Sequence, residues 1–230
     1  MVGSSGGIGA AVASALIGQG AQVHALSRNG GSRDGRLVGG RIDLGEESTV
    51  SGAAAEVRSL GKPDLIIVAS GLFHDELTTP EKSYHHLSAA NLQRYFAVNA
   101  TGPALVAKHF LPLLPTDRPA AFVALSARVG SIGDNRLGGW YGYRASKAAL
   151  NMIVKSLAIE LARTRPRAFC VALHPGTVDT RLSKPFQRSV AGGKLFAPAD
   201  AAQNLLQVIA RLGPTDTGGC FAWDGSRIQP

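Results

Sequence analysis

The sequence predicts a doubly wound α/β fold, a parallel sheet with helices on both faces. Three observations point to it. Short apolar runs alternate with longer helix-forming stretches along the 230 residues. The run Asp64-Leu65-Ile66-Ile67-Val68-Ala69 is apolar after its first residue, as a strand buried on both faces requires. The glycine-rich Gly3-Ser4-Ser5-Gly6-Gly7-Ile8-Gly9 opens directly into the strong helix former Ala10-Ala11-Val12-Ala13-Ser14-Ala15-Leu16.

The elements follow in order. Residues 22–26 read as a strand ending at Ser27-Arg28, 30–40 as a polar, glycine-rich loop, and 41–43 as a short strand. Residues 46–60 are helical, closed by Gly61 and Pro63, and 64–69 form the buried strand. Residues 87–113 read as one long helix bent at Gly102-Pro103, followed by a strand at 120–125 and a helix at 143–163. A strand at 168–173 ends at His174-Pro175-Gly176, then come a helix at 199–212 and a last strand at 219–223. Only Met1 and Val2 precede Gly3, whereas the strand before a glycine turn needs roughly five residues. The expectation is a truncated first strand: the natural chain starts upstream, or this copy is destabilised.

With 45% apolar residues the chain can bury one sizeable core, and a single domain over 1–230 is expected. Cys170 and Cys220 lack disulfide-framework or metal-ligand spacing and fit reduced thiols in a cytoplasmic protein. The sequence shows neither a signal peptide nor an apolar run of membrane-spanning length. The net charge of +8 is dispersed. Arg163, Arg165 and Arg167, the densest basic group, follow a helix whose C-terminal dipole they complement, so nucleic acid is not an expected partner. A positive field instead attracts a phosphorylated cofactor. The six histidines are scattered, so no metal is expected, and His174 reads as a structural histidine near the site.

Two motifs carry chemistry. A glycine turn opening a helix lets backbone N–H groups approach a phosphate, with the helix dipole behind them. Gly3, Gly7 and Gly9 have G-x-x-x-G-x-G spacing, which is neither G-x-G-x-x-G nor a P-loop. Tyr143 and Lys147, four apart, fall on one helix face. An ammonium beside a phenol favours the phenolate and lowers its pKa.

Together these motifs resemble the short-chain dehydrogenase/reductase family, whose sheet is Rossmann-like. Asn99-Ala100-Thr101-Gly102 and Pro175-Gly176-Thr177-Val178-Asp179-Thr180 match its other motifs in order and separation. Ser126-Ala127-Arg128-Val129-Gly130-Ser131-Ile132, with Asp134-Asn135 and Gly138-Gly139-Trp140-Tyr141, is similar to its C-factor-like subgroup. The resemblance implies a reductase or reversible dehydrogenase acting on a carbonyl or secondary alcohol. Tyr143 is then the general acid, Lys147 lowers its pKa and binds the nicotinamide ribose, and Asn99 holds a relay water. The family's catalytic serine aligns with Ala127, so the role passes to Ser126, or to Ser131, or is unfilled. The implied cofactor residues are Gly3, Ser4, Ser5, Gly7, Ile8, Arg28, Asp43, Leu44, Ala69, Ser70, Gly71, Asn99, Tyr143, Lys147, Pro175, Gly176, Val178 and Thr180. Arg28, with no acid beside it, suits a 2′-phosphate, so NADP is expected over NAD. Tyr141 is expected in the pocket wall, and the loop at 180–198, with Gly192-Gly193, is expected to cover the pocket and move. The two long helices are expected to pair copies into a homodimer or homotetramer. The rival expectation is a nucleotide-binding signalling or regulatory protein with little turnover.

Overall fold

The computed structural model describes residues 1–31, 33–189 and 194–230. The elements run α1 (Gly7–Gly18), β1 (Val23–Ser27), β2 (Arg33–Asp34), β3 (Leu37–Arg41), α2 (Glu47–Leu60) and β4 (Leu65–Val68). They continue with α3 (Ala89–Phe96), α4 (Gly102–Phe110), β5 (Ala120–Leu125), α5 (Tyr141–Thr164) and β6 (Ala168–His174). The chain closes with β7 (Thr177–Val178), β8 (Leu195–Phe196), α6 (Pro198–Arg211) and β9 (Cys220–Ala222).

Strands β4, β5, β6 and β9 lie side by side in parallel, and β1 pairs in parallel with β3. Val2 bridges both groups, in parallel with Leu26 on one side and Val68 on the other. Its N–H donates to Ile67 O at 2.8 Å, and Ala69 N–H donates to Val2 O at 2.9 Å. Met1 also pairs with β1, its ammonium donating to His24 O at 2.8 Å and its carbonyl accepting from Leu26 N–H at 2.8 Å, so Met1 and Val2 do the work of the central strand, giving the order β3-β1-Val2-β4-β5-β6-β9. A cavity of about 340 Å³ adjoins it, lined by Met1, Val23, Leu26, Leu65 and Ile67 among others.

The sheet's period of two divides the core. Phe122, Ala124, Cys170 and Ala172 pack with Leu150 and Val154 of α5 and Val106 of α4. Val123, Val171 and Leu173 pack on the other face with Val12 of α1 and Leu205 of α6. Strand β5 is buried along its whole length, as a central parallel strand must be.

Two expectations are corrected. The segment expected as loop at 30–40 contains β2 and β3, and Ser32 within it lies outside the described residues. Its glycines reflect close packing: a Cβ on Gly39 would stand 2.3 Å from Gly31 C, and one on Gly40 2.8 Å from Leu26 Cδ2. The expected helix at 87–113 is divided by a π-helical turn, Ala97–Thr101, just before Gly102-Pro103. The basic group behaves structurally. The Arg165 guanidinium donates to Leu114 O at 3.1 Å and Pro112 O at 2.9 Å. Burial pushes the Cys170 thiol up to about 12 and Cys220 up to about 11, so both stay protonated and inert near neutral pH. Among the described residues no helix is long and apolar enough to cross a membrane, and no metal-holding cluster occurs.

Candidate active site

The site forms where β4, β5 and β6 end and α5 begins. The start of α5 is set by a turn that sequence reasoning missed. Trp140 takes the left-handed conformation at φ 51°, alone among the described non-glycine residues. Its N–H donates to Glu81 O, and Gly142 N–H donates to the Glu81 carboxylate at 3.2 Å. A buried carboxylate at a helix N-terminus complements the helix dipole. Nothing in the segment around Glu81 signals this role. The helix therefore opens at Tyr141, two residues earlier than expected, with Tyr143 and Lys147 in its first two turns.

Lys147 is 3% exposed. Its Nζ donates to Leu125 O at 2.8 Å and stands 6.0 Å from the Tyr143 ring centroid. Loss of water pulls its ammonium down to about 8. The expectation that Lys147 lowers the phenol's pKa is corrected. Burial raises the Tyr143 pKa well above its usual range; Phe73 packs on the ring at 4.6 Å, and the ammonium is engaged with Leu125. Phe73, also unforeseen, packs on Trp140 at 4.9 Å and Phe186 at 4.4 Å. These rings wall a cavity of about 440 Å³ that Tyr143, Ser126, Ala127 and His174 also line. Tyr141 does not line it and stands 37% exposed, so the expected pocket wall is Trp140 instead.

Asn99 lies fully buried in the π-helical turn. Its carboxamide accepts from Leu72 N–H at 2.8 Å, donates to Leu72 O at 2.8 Å, and donates to Ser146 Oγ at 3.0 Å. It thus fixes the loop that presents Gly71 and Phe73. Both candidate serine hydroxyls have protein partners, and of the two only Ser126 lines the cavity. Ser126 Oγ donates to Asn151 Oδ1 at 2.7 Å. Ser131 Oγ donates to Pro230 O at 3.4 Å and accepts from Asp134 N–H at 3.1 Å.

The residues expected to hold a dinucleotide fall on one rim. A Cβ on Gly9 would stand 2.1 Å from Gly3 O, so the turn over α1 closes only around glycine. Helix α1 has no side-chain cap, which leaves its first N–H groups for another acceptor. Gly7 faces Thr180, where a Cβ would stand 2.7 Å from Cγ2. A Cβ on Gly71 would stand 3.8 Å from Asn99 Oδ1 and 3.9 Å from Lys147 Nζ, ordinary contact distances that place this backbone beside both side chains. Arg28 is exposed just past β1, Ser70 abuts Gly3, and Asp43 Oδ1 accepts from Gly45 N–H at 3.0 Å beside buried Leu44. Ser4, Ser5 and Ile8 lie on the glycine turn, Ala69 follows β4, and Pro175, Gly176 and Val178 follow β6. This rim fits a phosphate-bearing dinucleotide. Within the expected lid, Lys184–Ser189 forms a short 3₁₀ helix carrying Phe186, while Gly192-Gly193 lie outside the described residues.

Comparison with known proteins identifies the family. The short chain dehydrogenase family model matches residues 1–191. C-signal of Myxococcus xanthus is 38% identical over 140 residues, covering 60% of this chain and 78% of that one. An uncharacterized oxidoreductase of Schizosaccharomyces pombe is 30% identical over 203 residues, covering 82% and 76%. Among solved structures, an NADPH-bound carbonyl reductase from chicken fatty liver superposes with TM-score 0.84 at 23% identity, covering 100% of this chain and 97% of that one. The chain belongs to the short-chain dehydrogenase family and is an enzyme of the dehydrogenase/reductase class.

Proposed function

We propose that this protein is an NADPH-dependent carbonyl reductase of compact, apolar or aromatic aldehydes and ketones, with Tyr143 as proton donor. One observation carries the reading: Tyr143 and Lys147 share one face of α5 beside both the aromatic cavity and the glycine rim. When bound, the nicotinamide supplies the hydride. Gly3, Ser4, Ser5, Gly7 and Ile8 would hold the pyrophosphate, Arg28 the 2′-phosphate, and Asp43 with Leu44 the adenine. Ala69, Ser70, Gly71 and Lys147 would hold the ribose next to the nicotinamide, and Pro175, Gly176, Val178 and Thr180 the nicotinamide itself.

The chain's own groups then act in a fixed order. Phe73, Trp140 and Phe186 exclude water and align the carbonyl. Tyr143, protonated because burial disfavours its phenolate, gives its proton to the carbonyl oxygen as the carbon is reduced. Lys147 holds positive charge below about pH 8 and steadies the negative charge developing on the substrate oxygen. Two unpaired cysteines support a cytoplasmic setting. Exposed Met152 and Ile159, two turns apart on α5, support pairing of copies along that helix. A regulator with little turnover is the second reading, favoured by Ala127 at the position where the family carries its serine.

The test titrates NADPH and NADH by fluorescence against the parent chain and Arg28→Ala. The reading expects tighter NADPH binding in the parent, with the preference lost in the variant. Equal affinities in the parent contradict NADP selection.

A further inference from the structure

We propose that His174 donates the hydrogen bond that polarises the substrate's carbonyl oxygen, in place of the hydroxyl this chain lacks at position 127. The inference rests on the carbonyl reductase reading and adds a catalytic residue to it. The two candidate hydroxyls are committed elsewhere, Ser126 to Asn151 and Ser131 to Pro230 and Asp134. Ala127 offers the cavity only a methyl group. Tyr143 must part with its proton, so a second donor is needed to hold the oxygen while charge builds on it.

His174 ends β6. The pairing of Leu125 with Leu173, and the Ser126 N–H bond to Leu173 O at 2.8 Å, set His174 beside Ser126. Cys170 and Ala172 face the α5 side of the sheet, so the alternation of β6 sends the His174 side chain to the side of Tyr143 and Lys147. It lines the same cavity as those residues' neighbours, Ala127 and Ser126. Its Nδ1 is buried without a hydrogen-bond partner. Such atoms are rare in folded proteins, and a functional site is one of the few settings that retain them.

Burial, followed by repulsion from Arg128, holds the imidazolium down to about 4; Lys147 adds repulsion and Asp224 opposes it. The ring is therefore neutral near physiological pH, with one N–H to offer. A neutral donor stabilises the developing oxyanion without competing for the proton that Tyr143 delivers. No bond to His174 is made or broken: the carbonyl carbon gains a hydride, its oxygen gains the Tyr143 proton, and the imidazole ends as it began.

The experiment uses NADPH and 4-nitrobenzaldehyde with the parent chain, His174→Phe, and His174→Phe combined with Ala127→Ser. Loss of one oxyanion donor predicts a fall in kcat of about 100-fold in His174→Phe with NADPH affinity kept. The added serine is expected to recover about tenfold or more of that loss, which a purely structural histidine would not allow. In the complexes with NADP⁺ and the aldehyde, the parent's carbonyl stretch is expected at lower wavenumber than that of His174→Phe. A carbonyl stretch unchanged by His174→Phe, or a loss of kcat that Ala127→Ser does not recover, overturns the assignment. A parent chain that never oxidises NADPH fails earlier, at the carbonyl reductase reading, and takes the inference with it. Turnover in the parent with His174→Phe unimpaired fails the inference alone.

Discussion

The Phe73 ring packs on Tyr143 with centroids 4.6 Å apart and planes 46° from each other. Burial raises the pKa of Tyr143 above its ordinary value, and Phe73 is one of the rings that pack around it, with Tyr95 at 6.2 Å. Phe73→Ala is expected to return the phenol toward its ordinary pKa of ~10. It is also expected to cost roughly 3–5 kcal/mol of stability, as truncation of a buried phenylalanine does. Ultraviolet titration of Phe73→Ala, compared with Phe73→Ala/Tyr143→Phe, isolates the phenol. An unchanged high-pH transition would contradict Phe73 as a cause.

Lys147 makes stability depend on pH in a definite direction. Its folded pKa, about 8, lies below its unfolded value of 10.5. Between these values the unfolded chain binds more protons, so Lys147's contribution rises with pH from about 8 to 10.5 and is flat below. The span is on the order of 3 kcal/mol. Urea denaturation of the parent and Lys147→Met across this window is expected to show the parent gaining stability relative to the variant as pH rises. Parallel profiles would show that the ammonium is not desolvated. Reductase activity is expected to move the opposite way, falling through about pH 8 as the charge is lost.

Asn99 holds Leu72 through both halves of its carboxamide. Asn99→Ala orphans a buried N–H and C=O, at a cost of roughly 1–3 kcal/mol for each group. For a chain of this size each kcal/mol lowers Tm by roughly 2–4 °C. Asn99→Asp is expected to be no milder, since its second oxygen faces the Leu72 carbonyl. Calorimetry of both variants checks this, and a Tm within about 1 °C of the parent would refute the clamp.

The cavity of about 340 Å³ beside Val2 predicts a gain from filling it. An apolar, strand-forming segment of about four residues joined ahead of Met1 is expected to pair with β1 and β4 and raise Tm by several degrees. Equal melting of the two chains would show that the space between these strands does not accept a strand.

Periodicity and punctuation made most of the fold legible. Strand β5 matches its expected bounds, α2 and β6 differ by one residue at one end, and α6 is displaced by one residue at both ends. The glycines of β3 misled because they serve close backbone approach to Gly31, which sequence cannot distinguish from loop flexibility. The π-helical turn at Asn99 was hidden because local propensity favours an uninterrupted helix. Motif spacing placed Tyr143, Lys147 and the glycine turn at one rim. Phe73, Glu81 and Trp140 were missed because they reach the site through loop geometry and one left-handed residue, none of which leaves a periodic trace. The sign of the Tyr143 shift was misjudged for the same reason: a ring that packs on the phenol lies 70 positions earlier in the chain.

The central claim is that Tyr143 is the proton donor in carbonyl reduction. Its most direct test is NADPH oxidation by the parent and Tyr143→Phe against a panel of aromatic aldehydes and ketones, with NADPH affinity measured in both. The account predicts turnover in the parent and a loss of at least about 100-fold in the variant, with cofactor binding retained. Equal rates in the two proteins, or binding of NADPH with no oxidation in either, would contradict it.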